Sequence, residues 1–452
     1  MIENKIAEYT AGITFEKLDA NMIHIMKRNL LDSYAGILGS LRDADMISKF
    51  DSMTSIIPDE NGISVWGIGR KAHAAEAIFM NTIMGRRSDL LNTYMSPNRM
   101  GASHPSDNIS LVLSVADYLN KTGRDLLTYT YAAYQLVGIF ADYYCPEKDG
   151  YDHDAQTLFY TPLIIGLIMG VSVDEMVESQ RIAGMLGLVI NQSAVGQITD
   201  WRHCTYASCA MRGMQSVVMA RAGFKGALDI YGGEAGVDRF FPHAEFFMEP
   251  MPDISQVIFK RWPALVFCQT PIDVAIDISA KIEDVENIEK VRVQTYKMAI
   301  EEGALESAYQ PGSRAGRTHS LPYCVATALA KKTIKYDYFD DNFLQKEKDV
   351  AGLIPKITVE EDKEMTRSYP GEAPCKIIVR LTDGNVVEAD RRYPHGDPHD
   401  PLSDEEIENK AREYLGNFMK EKETGSIIER IWSLENETSI AWLVDPLKRR
   451  II

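Results

Sequence analysis

The sequence predicts a mainly α protein in which a large all-helical domain is joined to a smaller α+β domain. Three observations carry this. Apolar positions recur at helical spacing up to about residue 265. Beyond about residue 270 the pattern changes: IEKVRVQTY (Ile288 to Tyr296) alternates like a strand, and Cys375 to Tyr393 reads as a hairpin. The chain then returns to helix at Ser403, where Ser403 and Glu406 form an S-x-x-E capping box.

The helices follow in order. Ile13 to Ile37 is periodic, and its tail SYAGILGS is rich in small residues that permit close packing. Ala72 to Met84 is a second apolar helix. After His104-Pro105, the positions Ile109, Val112, Leu113 and Ala116 follow the i, i+3, i+4, i+7 spacing; Pro with Ser106 and Asp107 beside it marks a helix start. Leu126 to Ala141, Pro162 to Gly170, Met176 to Val195 and Asp200 to Ala222 continue the series, the last carrying the small residues Ala207, Ser208, Ala210 and Gly213. The frequent methionines in these helices read as core filler. In the second domain Pro271 to Ile282 is helical. The arms KIIVRL and VVEADRRY flank Asp383-Gly384, a two-residue turn signal. Charged sequence from Asp337 to Tyr369 lies between. No internal repeat is visible. A helical body with an α+β module makes a cleft the expected binding site, the alternative being an interaction module.

The chain has 452 residues and a net charge of −17, which argues against nucleic acid or an anionic membrane as a partner. The start, MIENKIAEYT, carries charges where a secretory signal needs an apolar run. The longest apolar run, Thr161 to Val173, is too short to span a bilayer. A cytoplasmic protein is expected. The six cysteines (145, 204, 209, 268, 324 and 375) form no C-x-x-C pair, and no zinc-finger spacing or phosphate loop occurs, so no metal or cofactor is expected.

Chemistry-bearing residues gather in five places. The first is Asp89 to Asn108, which sets Asp89, Asn92, Thr93 and His104 in one polar loop. His104 falls at or just before a helix N-terminus, where orphan N–H groups and the positive dipole end favour an anion. A titratable imidazole there suggests proton transfer on a carboxylate; the plainer alternative is a solvated loop histidine. The second is Asp152-His153-Asp154, before the helix at Leu158. The third is Asp200-Trp201-Arg202-His203. A cation at a helix start opposes the dipole, so Arg202 is either an anion ligand or a surface Arg stacked on Trp201. The fourth runs from Lys260-Arg261-Trp262-Pro263 to Gln269-Thr270-Pro271 at the domain junction. The fifth is the basic loop Arg314 to Tyr323, with Arg317 and His319. Converging cations of this kind would suit a di- or tricarboxylate.

In this order and spacing the motifs resemble the MmgE/PrpD family over nearly the full length. They are SHPSDN (Ser103 to Asn108), Asp152-His153, Trp201-Arg202 before a small-residue helix, FCQT (Phe267 to Thr270), HSLPY (His319 to Tyr323), YPHGDP, and PLSDEEI near the C-terminus. The resemblance implies a helical domain, 1–268 completed by 401–452, an α+β lid domain at 269–400, a homodimer and cofactor-independent chemistry. It places the family's active-site aspartate and threonine on Asp89 and Thr93, its second acidic position on Asn92, its histidines on His104 and His153, and its lysine on Arg202. The histidine of the decarboxylase branch falls on Gln269, which looks like the dehydratase branch. The implied activity is dehydration of a hydroxy-tricarboxylate, 2-methylcitrate giving 2-methylaconitate. Decarboxylation of cis-aconitate or iminodisuccinate epimerisation is the alternative within the family, and a non-catalytic dimeric scaffold the alternative outside it. His104, Asp89, Thr93 and Arg202 are the expected catalytic residues, with His153, Gln269, Lys260, Arg317, His319 and Tyr323 holding substrate.

Overall fold

Side chains on a buried helix must be apolar or paired on every face, and the segment 20–40 meets that demand. In the computed structural model, which describes residues 1–97, 102–194, 198–246, 248–249 and 251–451, Ala20–Ser40 is a helix buried almost throughout from Met26 onward. It starts later than its periodicity suggests, because Asp19 accepts a hydrogen bond from Met22 N (2.8 Å) and so caps the first turn; residues 15–17 form a separate 3₁₀ turn. The small residues of its tail have the expected use. A methyl group on Gly39 would lie 2.6 Å from the Tyr414 ring, so the helix Asp404–Leu415 can pack there only against glycine. Residues 403–452 thereby return to the same body as the N-terminal helices.

The structure is 58% helical. One unit comprises residues 1–191, 203–257 and 403–452; the other comprises 192–202 and 258–402. This division places 192–202, expected in the helical body, with the α+β unit, and moves the second boundary from 268 to 257.

In the first unit, helices Ala74–Arg87, Asp107–Tyr118, Gly123–Tyr143, Thr157–Met169, Val173–Met185 and Thr205–Arg221 pack on one another. Capping boxes start two of them, Thr122 with Asp125 and Ser172 with Glu175. Two expected spans shorten. The expected helix to Val195 stops at Met185: residues 189 and 191 instead exchange backbone hydrogen bonds with 152 and 150 (Asp152 N to Val189 O, 2.9 Å; Asn191 N to Gly150 O, 2.9 Å), and Val195 itself lies outside the described residues. The helix expected from Asp200 begins at Thr205, after a separate 3₁₀ turn at Asp200–His203. A hairpin that periodicity did not reveal pairs Pro58–Val65 with Arg70–Ala72.

In the second unit a four-stranded sheet runs in the order Ile357–Glu361, Ile288–Thr295, Cys375–Leu381, Val386–Arg391, the first pair parallel and the rest antiparallel. Ile288, Val291, Val293 and Thr295 are buried, and helices Gln269–Ser279 and Leu321–Lys331 join the same apolar core. The charged stretch thus supplies an edge strand. The hairpin forms where expected, but its loop is longer than two residues. Gly384 N bonds Leu381 O (3.0 Å), Leu381 N bonds Asn385 O (2.8 Å), and only Gly384 has positive φ (+88°). That is a type I turn closed by a left-handed glycine, the three-residue solution.

Candidate active site

The loop after Ala74–Arg87 is shaped by its own polar residues. The helix ends on Arg86 and Arg87, a placement the dipole favours. Asp89 adopts the left-handed φ of +56°. Asn92 is buried and donates to Asn29 Oδ1 (2.6 Å) and Tyr134 Oη (2.8 Å), so its amide anchors the loop to two helices. Strand Thr93–Met95 then pairs antiparallel with Ala102–Ser103, Tyr94 opposite Ser103. That register returns His104 to Thr93: His104 Nδ1 lies 3.1 Å from Thr93 Oγ1 and 3.2 Å from Asn92 O. His104 is half-buried and directly precedes the helix Asp107–Tyr118, as its Pro105 signal suggests.

His153 meets His104 edge-on, with ring centroids 5.5 Å apart and planes at 79°. Asp152 caps the turn that carries it, accepting from Asp154 N (3.0 Å). His153 Nδ1 lies 3.2 Å from Asp152 Oδ1, and its Nε2 lies 3.3 Å from Asp154 Oδ1. Arg86, buried, reaches the same place: Nη2 is 3.1 Å from His153 Nε2, and Nη1 pairs with Asp107 and, at 3.2 Å, with Asp154 Oδ2. Thr205 Oγ1 donates to Asp154 Oδ2 (2.6 Å). Burial works against the Arg86 charge, but the carboxylates of Asp107, Asp154, Asp152 and Asp89 outweigh it and drive its pKa further up. Next door Arg87 binds Asp43 (2.6 Å) and His203 Nδ1 (3.0 Å). The spacing of Asp152, His153 and Asp154, ligand atoms within 4.8 Å of one another, would suit a metal ion, but the Arg86 guanidinium already lies on that cluster.

The structure therefore brings together Thr93, His104 and His153, with Asp89 acting on the charge of Arg86, and adds Arg86, Asp107 and Asp154, which sequence reasoning did not name as site residues. The signal was present: two consecutive arginines end an apolar helix, separated from Asp89 by Ser88 alone.

The remaining expected residues lie in the second unit. Arg202 is buried while Trp201 is 54% exposed, so Arg202 is not a surface side chain. Lys260 is buried. Gln269, expected to hold substrate, is a backbone clamp: its Oε1 accepts from Trp262 N (3.0 Å), and its Nε2 donates to Trp262 O and Ala264 O (3.0 Å each). Arg317 donates to Phe339 O (2.8 Å) and pairs with Asp341, and Tyr323 donates to Tyr338 O; these contacts serve the local fold. His319 Nδ1 lies 2.9 Å from Ala315 O, and its ring borders a cavity of about 470 Å³ that also exposes Glu301, Glu302 and Glu306, a poor setting for a polycarboxylate.

The MmgE/PrpD N-terminal domain matches residues 4–247, and the MmgE/PrpD C-terminal domain matches residues 262–434. The chain belongs to the MmgE/PrpD family. This MmgE/PrpD chain is 26% identical to the 2-methylcitrate dehydratase-like protein oryR of Aspergillus oryzae over 73% of its length and 72% of that protein's. It is 24% identical to the 2-methylcitrate dehydratase of Escherichia coli strain K12 over 74% and 73%. It is 22% identical to the cis-aconitate decarboxylase of Mus musculus over 97% and 91%. Among the described residues of this MmgE/PrpD member, no helix is long and apolar enough to cross a membrane.

Proposed function

We propose that this protein is a cofactor-independent hydro-lyase that converts 2-methylcitrate to 2-methylaconitate. The observation that carries the reading is the Thr93–His104–His153 cluster in one unit, an acid–base group built beside buried charge. Dehydration breaks a C–H bond next to a carboxylate and a C–OH bond, forms C=C and releases water. Asn92 O accepts only, so His104 Nδ1 carries the hydrogen and Nε2 exchanges the proton. Thr93 orients the ring and Asp89 belongs to the charge balance around Arg86. Arg202 is the proposed carboxylate clamp, since a guanidinium presents a bidentate fork and stays charged. Gln269, where a decarboxylase-like chain would carry a histidine, supports the dehydratase reading.

A second reading, decarboxylation of cis-aconitate, is favoured by likeness to the mouse decarboxylase along 97% of the chain. The purified protein should be incubated with 2-methylcitrate, citrate and cis-aconitate while conjugated-alkene absorbance and carbon dioxide are followed. Alkene growth from 2-methylcitrate supports the proposal; carbon dioxide from cis-aconitate selects the second reading; no turnover of any leaves a non-catalytic scaffold. A cytoplasmic homodimer is proposed with it. Val218, Phe224 and Leu228, 53%, 64% and 75% exposed along one helix and the loop that follows, are side chains a second copy would cover.

A further inference from the structure

Two histidines meet at the site, and the proton chemistry needs one that can gain and lose a proton. A guanidinium has donors and no acceptor. Arg86 Nη2 lies 3.1 Å from His153 Nε2, so that nitrogen accepts and holds its lone pair. The His153 hydrogen then sits on Nδ1, facing Asp152 Oδ1 at 3.2 Å. We propose that Arg86 is a positioning residue that holds His153 as the neutral Nδ1–H tautomer and leaves proton exchange to His104.

The inference rests on the lyase reading above and deepens it. The charged and titratable groups around the ring include Asp152 and Asp154 on its own turn, Arg86 from the end of Ala74–Arg87, and His104 from the loop. The two aspartates by themselves would favour an imidazolium. Asp154, however, is shared with Arg86 (3.2 Å) and with the Thr205 hydroxyl (2.6 Å), and Asp107 also pairs with Arg86. The cation those carboxylates balance is Arg86, whose charge burial does not remove. Protonating Nε2 would point two N–H groups at each other. At His104 Nδ1 the neighbours Asn92 O and Thr93 Oγ1 can both accept. The adjacent pair repeats the device: Arg87 donates to His203 Nδ1 (3.0 Å).

The test is a pH titration of the ring nitrogens by NMR on the full chain with ¹⁵N-labelled histidine, His153 being assigned by its loss in His153→Gln. In the wild type His153 should stay neutral with its hydrogen on Nδ1 to well below the ordinary histidine value of ~6.5. In Arg86→Gln it should titrate at or above that value, and Arg86→Lys should restore the suppression in part. An imidazolium at His153 in the wild type at neutral pH overturns the proposal, and so does an unchanged His153 titration in Arg86→Gln. If Arg86→Gln does not fold, the wild-type spectrum decides alone. The readout needs no turnover: the expected titration with no turnover of the three acids would sink the lyase reading and leave the role of Arg86 in fixing the tautomer standing.

Discussion

At the scale of single residues, His104 and Arg202 should separate proton chemistry from charge recognition. His104 is held by Thr93 and Asn92 O and is only half-buried, so its removal should leave the fold unchanged. His104→Gln should lower kcat by roughly 10²- to 10⁴-fold, the usual contribution of a general acid–base group, with an unchanged melting temperature. A fall of less than about tenfold would return His104 to the role of a loop residue. Arg202→Lys keeps the charge and loses the fork, so turnover should weaken but persist. Arg202→Ala should lose far more of kcat/KM, because a carboxylate in a partly dry site would lack its counter-charge. Wild-type kcat/KM in both variants would remove Arg202 from the site.

At the scale of elements, the segment 258–273 is held by side chains that the sequence offered as ligands. Gln269 clamps the backbone of 262–264, and its truncation would orphan buried groups at ~1–3 kcal/mol each. Gln269→Ala should therefore lower the unfolding free energy by about 3 kcal/mol in a denaturant titration. Unchanged stability with a raised KM would reinstate it as a substrate ligand. One turn on, Asp273 accepts from Trp262 Nε1 and His395 N (2.8 Å each), yet burial outweighs these bonds and raises its pKa. The sign follows. Below the ordinary value of ~3.9 the carboxyl is protonated in both folded and unfolded chains; above it the unfolded chain ionises first, and stability is lost until pH passes the raised native value. Asp273→Asn cannot ionise, so its melting temperature should rise relative to wild type as pH climbs from ~4 through that window and then level off. A difference that stays constant with pH would refute this.

At the scale of the whole molecule, the buried Arg86 on the Asp152–His153–Asp154 cluster bears on metal dependence. Activity on 2-methylcitrate should survive dialysis against EDTA. Loss of activity restored by iron or magnesium would show that a metal site operates elsewhere. Light scattering should give twice the chain mass; a monomer at working concentration would remove the homodimer.

Local physics made much of this legible from the sequence alone. The Ser403 capping box, the alternation of Ile288–Thr295 and the Pro105 helix start depend on residues within a few positions of one another, and each is found where expected; helical periodicity located the helices but not their ends. His104 and Thr93 could be named because both fall in one loop. Tertiary structure decided the rest, because burial and distant partners are not local properties. Whether an arginine ends a helix in water or on a histidine 67 residues away depends on packing, as Arg86 and His153 show. Whether Gln269 faces a substrate or a carbonyl depends on how the backbone of 262–265 folds back over it. The hairpin shows the boundary between the two: Asp383-Gly384 announced a turn, and the register of the strands on either side set its length.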